Sequence, residues 1–418
     1  MKLWNQVNPW FLFFGQKMVM NMINFFCAQR TQSVLRDCRL TLVFLLLISI
    51  NTAFQVNAVL AVQEGAAEPY KSAILVEAET GRVLFEKNMH VSLPSASMTK
   101  MMLMLIVMEK LQEGAIRLDD KIMISAEASR IGGSQVYLRQ GEIFTLEELM
   151  KAIAIHSAND ACYAVAEHII GQPDFFVDSM NEHAKKLGMN DTHYYSIHGL
   201  PPTGEDKEDV TSAYDSTVLS RKLVEYPKLL EWTSTKETPF RGGKFILRNT
   251  NKLIGNYRGA DGLKTGFYSN AGFNLTATAR RGDTRFISVV MGAQSNQGRA
   301  KEVARLMDMG FNLYHRKVLL KKGEPFNQDV PVIDGSEATI KLVAAKDLVV
   351  YLKRNEFDKP VVGLAEAPAL KAPLKAKQEV GKIVAKINNE QVGMIPGLCP
   401  QEVTEAGFLR KLFRKIVQ

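Results

Sequence analysis

Hydrophobic and polar positions change period several times along the chain, and each change predicts an element. Ser72–Ala78 (SAILVEA) and Arg82–Glu86 (RVLFE) read as two short strands flanking Glu79-Thr80-Gly81, a hairpin pattern. Pro94-Ser95 then opens a helix reaching to about Leu111 that is apolar at nearly every position. Thr145-Leu146-Glu147-Glu148 is a capping box, heading a helix that is interrupted near His156–Asn159 and resumes through Ile170. Phe273–Ala279 and Arg285–Met291 alternate as strands across the turn Arg281-Gly282-Asp283. Strands at both ends with helices between predict one α+β domain over residues 63–320, its antiparallel sheet uniting distant parts of the chain. Over 321–403 the pattern becomes Val-rich and alternating, as in Ala338–Val343, Leu348–Leu352 and Ile383–Ile387, which predicts a small all-β domain.

The two ends follow other rules. Arg36 and Arg39 precede Leu40–Ile50 (LTLVFLLLISI), a run too short to span a bilayer. Val56-Asn57-Ala58 fits a signal-peptidase site, with Ala61 a second candidate, so residues 1–58 read as a signal peptide. The stretch before Arg36 is long and Phe-rich for such a segment, which points to Met18, Met20 or Met22 as the start; an uncleaved anchor is the other reading. Residues 404–418 are expected to form an amphipathic helix. Phe408, Leu409, Leu412, Phe413, Ile416 and Val417 fall on one half, and Arg410, Lys411, Arg414 and Lys415 on the other. Such a helix lies in an anionic membrane surface, or else packs on its own β domain.

Composition adds little until charge is located. The 418 residues are 46% hydrophobic and 23% charged, ordinary for globular domains. The net charge of +8 sits at the two ends, +4 in residues 1–58 and +4 in 407–418, leaving the span between them neutral. No basic stripe in the body points to nucleic acid, so no such partner is expected. No Cys/His group has metal spacing, and neither a metal nor a cofactor is expected. Signal cleavage would leave Cys162 and Cys399, far apart in sequence and read as buried free thiols, with a bridge between them the other reading.

Three short motifs carry the candidate chemistry. Ser97-Met98-Thr99-Lys100 stands in the first turns of the apolar helix, so Ser97 and Lys100 share a face. A serine hydroxyl needs a base before it attacks, and burial among Met101, Met102, Leu103 and Met104 would lower a lysine toward that role. Alone, the same residues also read as a serine near a helix start with a snorkelling lysine. Ser157-Ala158-Asn159 falls at the break between two helices, although Ser179-Met180-Asn181 has the same spacing. Lys264-Thr265-Gly266 precedes the later hairpin, with Gly262 and Gly266 leaving room for a backbone to approach; singly it is an edge strand with a solvated lysine.

In the order SxxK, SxN, KTG, on helix start, helix break and strand, these motifs resemble those of the serine-type D-alanyl-D-alanine carboxypeptidases, the low-mass penicillin-binding proteins. The resemblance extends over the β-rich domain and the basic tail. It implies Ser97 as nucleophile, Lys100 as general base and Ser157 as proton relay to the leaving amine. It implies that Asn159 holds both the acyl-side amide of the substrate and Lys100. Lys264, Thr265 and Arg299 would bind the terminal carboxylate, and the backbone N–H groups of Ser97 and Phe267 would form the oxyanion hole. Phe267 stands where some relatives have His, and the ring of His198 is read as structural more than catalytic. Implied partners are peptidoglycan stem peptides, β-lactams and the membrane surface, with the enzyme on the periplasmic face of the inner membrane.

The rivals share the motifs. A class A β-lactamase needs a Glu in an E-x-x-L-N segment, and Asp191–Leu200 (DTHYYSIHGL) has none. A penicillin-binding sensor that does not turn over, or an endopeptidase acting on cross-links, stays open at this stage.

Overall fold

The computed structural model describes residues 69–201, 207–364 and 370–408; the expected signal segment and the terminal helix from Leu409 onward lie outside them. Among the described residues no helix is long and apolar enough to cross a membrane.

Strands β1 (Ser72–Glu77), β2 (Val83–Lys87), β3 (Ala260–Tyr268), β4 (Gly272–Arg281) and β5 (Thr284–Ala293) form one antiparallel sheet in the order β2-β1-β5-β4-β3. The two hairpins predicted from sequence therefore meet through β1 and β5, with Ser72 opposite Met291 and Glu77 opposite Phe286. Both faces are covered, because side chains alternate along a strand. Ile74, Val76, Ile287, Val289 and Met291 enter one core with most of the helices. Ala73, Leu75, Phe286 and Val290 enter a second, with Val303, Leu306 and Met307 of helix Asn296–Leu313. The strand β1 sequence is apolar almost throughout for this reason.

Helix α1 (Lys100–Gln112) runs through the first core and buries every residue from Lys100 to Met108. Apolar on all sides, it is a central helix rather than a surface one. Helix α2 (Leu146–Lys151) begins at the expected capping box, in which Thr145 accepts from the Glu148 N–H and Glu148 accepts from the Thr145 N–H. A wider π turn, Ala152–His156, follows it, and helix α3 (Asn159–Ile170) resumes after Ser157.

The domain boundary differs from the sequence reading, which ended the first domain at 320. His315–Leu320 pairs antiparallel with Leu348–Leu352, so this strand belongs to the C-terminal domain. Its composition gives no hint of which partner it finds. Phe326, Leu342, Leu348, Val350, Ile383, Ile395 and Cys399 are among the residues of that domain's own apolar core. It meets the first domain at the β1–β2 turn, where Glu79 accepts from two of the Arg316 guanidinium nitrogens, both at 3.2 Å, and from the Tyr351 hydroxyl at 3.0 Å. Cys162 and Cys399 are both free and buried.

Candidate active site

The chain enters the site through a tight turn. Ala96 adopts a left-handed backbone (φ 49°), and Ala96–Thr99 forms a 3-10 turn that runs straight into α1. This places Ser97 one turn before Lys100. The Lys100 Nζ donates to Ser97 Oγ at 2.7 Å and to the His198 carbonyl at 2.6 Å. Ser97 stays partly accessible while Lys100 is fully buried. Burial lowers the Lys100 pKa to about 8, and Cys162 and Asp209 pull the other way. A carbonyl can only accept, so one N–H of Lys100 is committed to His198, which directs the amine's remaining valence toward Ser97.

Strand β3 forms the opposite wall, at the edge of the sheet. A Cβ on Gly266 would stand 2.5 Å from the Ser95 carbonyl oxygen and 3.2 Å from the Ser97 nitrogen, so only glycine lets the strand approach the turn that carries Ser97. Lys264 is buried, and its Nζ donates to Ser157 Oγ at 2.9 Å and to its neighbour's carbonyl, that of Thr265, at 2.8 Å. Its pKa is held well below the usual lysine value, first by burial and then by the charge of Lys100, with Arg299 adding to it. The Thr265 hydroxyl donates to Thr250 Oγ1 at 2.7 Å.

Arg299 lies beneath the same strand, donating to the carbonyls of Gly266 at 2.9 Å and Asn274 at 2.7 Å. Burial lowers its pKa to about 10. Its guanidinium is 5.5 Å from the Phe273 ring, on which Phe267 stacks at 4.0 Å. Arg299, from helix Asn296–Leu313, and Lys264 thus put two buried basic side chains against one strand, with no carboxylate among their hydrogen-bond partners.

The interrupted helix supplies the third wall. Ser157 sits in a left-handed backbone (φ 69°) at the end of the π turn, a strained position. It is buried, and the break turns its hydroxyl toward Lys264. Asn159 differs from expectation as well. Its amide donates to the Gly132 carbonyl at 2.7 Å and makes no bond to Lys100, while its Oδ1 is buried with no partner among the described residues. A buried acceptor left open in this way suits an N–H from a ligand.

Sequence reasoning missed the loop that frames Asn159. Asp160 accepts from the backbone N–H groups of Val136 (3.2 and 3.1 Å) and Leu138 (3.0 Å), and Ser134 accepts from the Asn159 N–H at 2.7 Å. The contacts span more than twenty positions, and no local pattern announces them. The His198 ring accepts from the Leu200 N–H at 3.2 Å, and burial drives its pKa down to about 3, so it stays neutral.

A serine hydroxyl beside a lysine of lowered pKa, facing buried basic groups, suits acyl transfer with a substrate that ends in a carboxylate. Residues 60–295 match the family model for D-alanyl-D-alanine carboxypeptidase, and residues 314–405 match that for the penicillin-binding protein 5 C-terminal domain. The chain belongs to the D-alanyl-D-alanine carboxypeptidase family. It is 37% identical over 352 residues to D-alanyl-D-alanine carboxypeptidase DacF of Bacillus subtilis, covering 83% of this chain and 89% of that one. The structure of penicillin binding protein 5 from Haemophilus influenzae superimposes with a TM-score of 0.73 at 27% identity, over 81% of this chain and 98% of the other. Penicillin-binding protein D2 from Listeria monocytogenes, in an ampicillin-bound form, gives a TM-score of 0.54 at 32% identity over 59% of this chain and 99% of that one. The second family match begins at 314, in line with the strand pairing that moves the boundary ahead of His315.

Proposed function

We propose that this protein is a serine D-alanyl-D-alanine carboxypeptidase that removes the terminal D-alanine from peptidoglycan stem peptides and is acylated by β-lactams. The observation that carries it is the pairing of Ser97–Lys100 with Ser157–Lys264 across one cleft, beside Arg299. Neutral Lys100 takes the Ser97 proton as Oγ attacks the penultimate carbonyl. The oxyanion is met by the N–H groups of Ser97 and Phe267, which the close approach at Gly266 supports. Collapse of the tetrahedral adduct breaks the peptide C–N bond, and Ser157 relays the proton held by Lys100 to the departing amine of D-alanine, which leaves both groups in their starting states. Water then hydrolyses the ester. Lys264, Thr265 and Arg299 hold the substrate's carboxylate, whose charge offsets that of the buried cations. Asn159 Oδ1 accepts from the acyl-side amide.

The basic end of the chain and the segment before residue 59 complete the reading. The enzyme is exported, and residues 404–418 hold it on the periplasmic face of the inner membrane, with the anionic surface as partner. Release of free D-alanine from a pentapeptide is the direct test, and a protein that binds penicillin yet releases none would be a sensor. Deleting 407–418 should free active enzyme from washed membranes; retention after signal cleavage would place the anchor elsewhere.

A further inference from the structure

Asp209 lies outside the three motifs, yet it touches both segments that hold Lys100. Its side chain is buried. One carboxylate oxygen accepts from the backbone N–H groups of Tyr195 (2.5 Å) and Ser196 (2.8 Å). The other accepts from the hydroxyls of Ser196 (2.6 Å) and Thr99 (3.2 Å). Its backbone carbonyl accepts from the Ser95 N–H at 2.9 Å and the Ser95 hydroxyl at 3.1 Å. Ser95 and Thr99 are in turn hydrogen-bonded through their hydroxyls at 2.7 Å.

The hydroxyl bonds of Thr99 and Ser196 lie on routes to the general base. Thr99 immediately precedes Lys100 in the helix that carries it. Ser196 Oγ, while donating to Asp209, accepts from the Gly199 N–H at 2.8 Å and so fixes the turn whose His198 carbonyl takes the Lys100 Nζ. That turn is tightly seated. Gly199 has φ 73°, and a Cβ there would come within 2.0 Å of the Ala96 carbonyl oxygen.

We infer that Asp209 is a positioning residue for Lys100: through Ser196 it holds the His198 carbonyl on the lysine, and through Thr99 it fixes the helix start, so that the free amine valence faces Ser97. The inference rests on Ser97 and Lys100 being nucleophile and base as assigned above. It also carries an electrostatic consequence. Lys100 feels Cys162 from α3, Lys264 from β3, and His198 and Asp209 from the loops beside α1. Burial keeps Cys162 a thiol, its pKa pushed up to about 12, and His198 neutral. Asp209 is therefore the acid of this set; burial raises its pKa, while all four donors aim hydrogens at the carboxylate and favour its anion.

The test is the second-order rate of Ser97 acylation by a chromogenic or fluorescent penicillin, measured against pH on the intact protein. Asp209→Asn keeps the shape and cannot accept from all four donors. It should slow acylation about ten- to a hundredfold and move the acid limb to lower pH, because an anion that favours the lysine cation is gone. Ser196→Ala, which removes one hydroxyl and keeps the charge, should slow acylation with the limb in place. The double variant should be no slower than Asp209→Asn alone, since both act along one path. Wild-type acylation is the control, and its absence would overturn the functional reading itself. With the wild type active, an unmoved limb in Asp209→Asn, additive losses, or a rate within twofold of wild type in Ser196→Ala would overturn the role of Asp209. Should Asp209→Asn fail to fold, Ser196→Ala decides the matter.

Discussion

The two domains bury different things. Among the described residues, every buried charged side chain lies at or before Arg299, from Glu77 through Lys100, Asp160, Asp209 and Lys264. The core of the C-terminal domain, from Phe326 to Val403, is apolar, with Cys399 its most polar member. Burying an amine or guanidinium without a carboxylate beside it costs stability, and a fold selected for stability alone would replace it. On the proposed mechanism the first domain keeps Lys100, Lys264 and Arg299 in its floor because acyl transfer needs a lysine that gives up its proton more readily than an exposed one, and basic groups that wait for a carboxylate. The second domain carries no such burden. Its grip on the β1–β2 turn through Arg316 and Tyr351 fixes it to the sheet that carries the site.

That contrast can be broken most severely at Lys100. Lys100→Ala should lower acylation and D-alanine release by more than about 10³-fold, while thermal stability holds or rises, because a buried amine has been removed. A variant that loses activity and fold together would mean that the lysine is structural. A smaller effect follows from pH. The reactive form of Lys100 is the neutral amine, so with its pKa lowered to about 8 the kcat/KM should fall as pH drops below 8, about tenfold per unit. The opposite sign, or a limb near the ordinary histidine value, would assign the base elsewhere, since His198 is already neutral throughout that range. The smallest effect on chemistry belongs to the other domain. Ile383 is fully buried in the C-terminal core, and Ile383→Ala should cost about 2–5 kcal/mol of that domain's stability. Acylation of Ser97 should stay within twofold. Loss of acylation in that variant would show that the two domains are energetically one.

Legibility in sequence followed the same division between local and distant. Ser97 and Lys100 could be paired from spacing because a helix turn joins them, and the capping box at Thr145 is a relation across three residues. The resemblance, more than any spacing, supplied Arg299; its bonds to Gly266 and Asn274 reach across the sheet. Asp209 stood among Glu205, Asp206 and Glu208 with nothing local to distinguish it. Only folding brings it to Thr99 and Ser196. The strand His315–Leu320 was assigned to the wrong domain for a related reason, since its partner lies across a later turn. Asn159 was legible as a site residue, but its amide's choice of Gly132 over Lys100 depends on a loop that no pattern announced.

Intact-mass analysis with penicillin tests the central claim most directly. The account predicts one adduct per chain, mapping to Ser97, absent from Ser97→Ala, and decaying over time as water completes the turnover. An adduct on another residue, or undiminished labelling of Ser97→Ala, would contradict it.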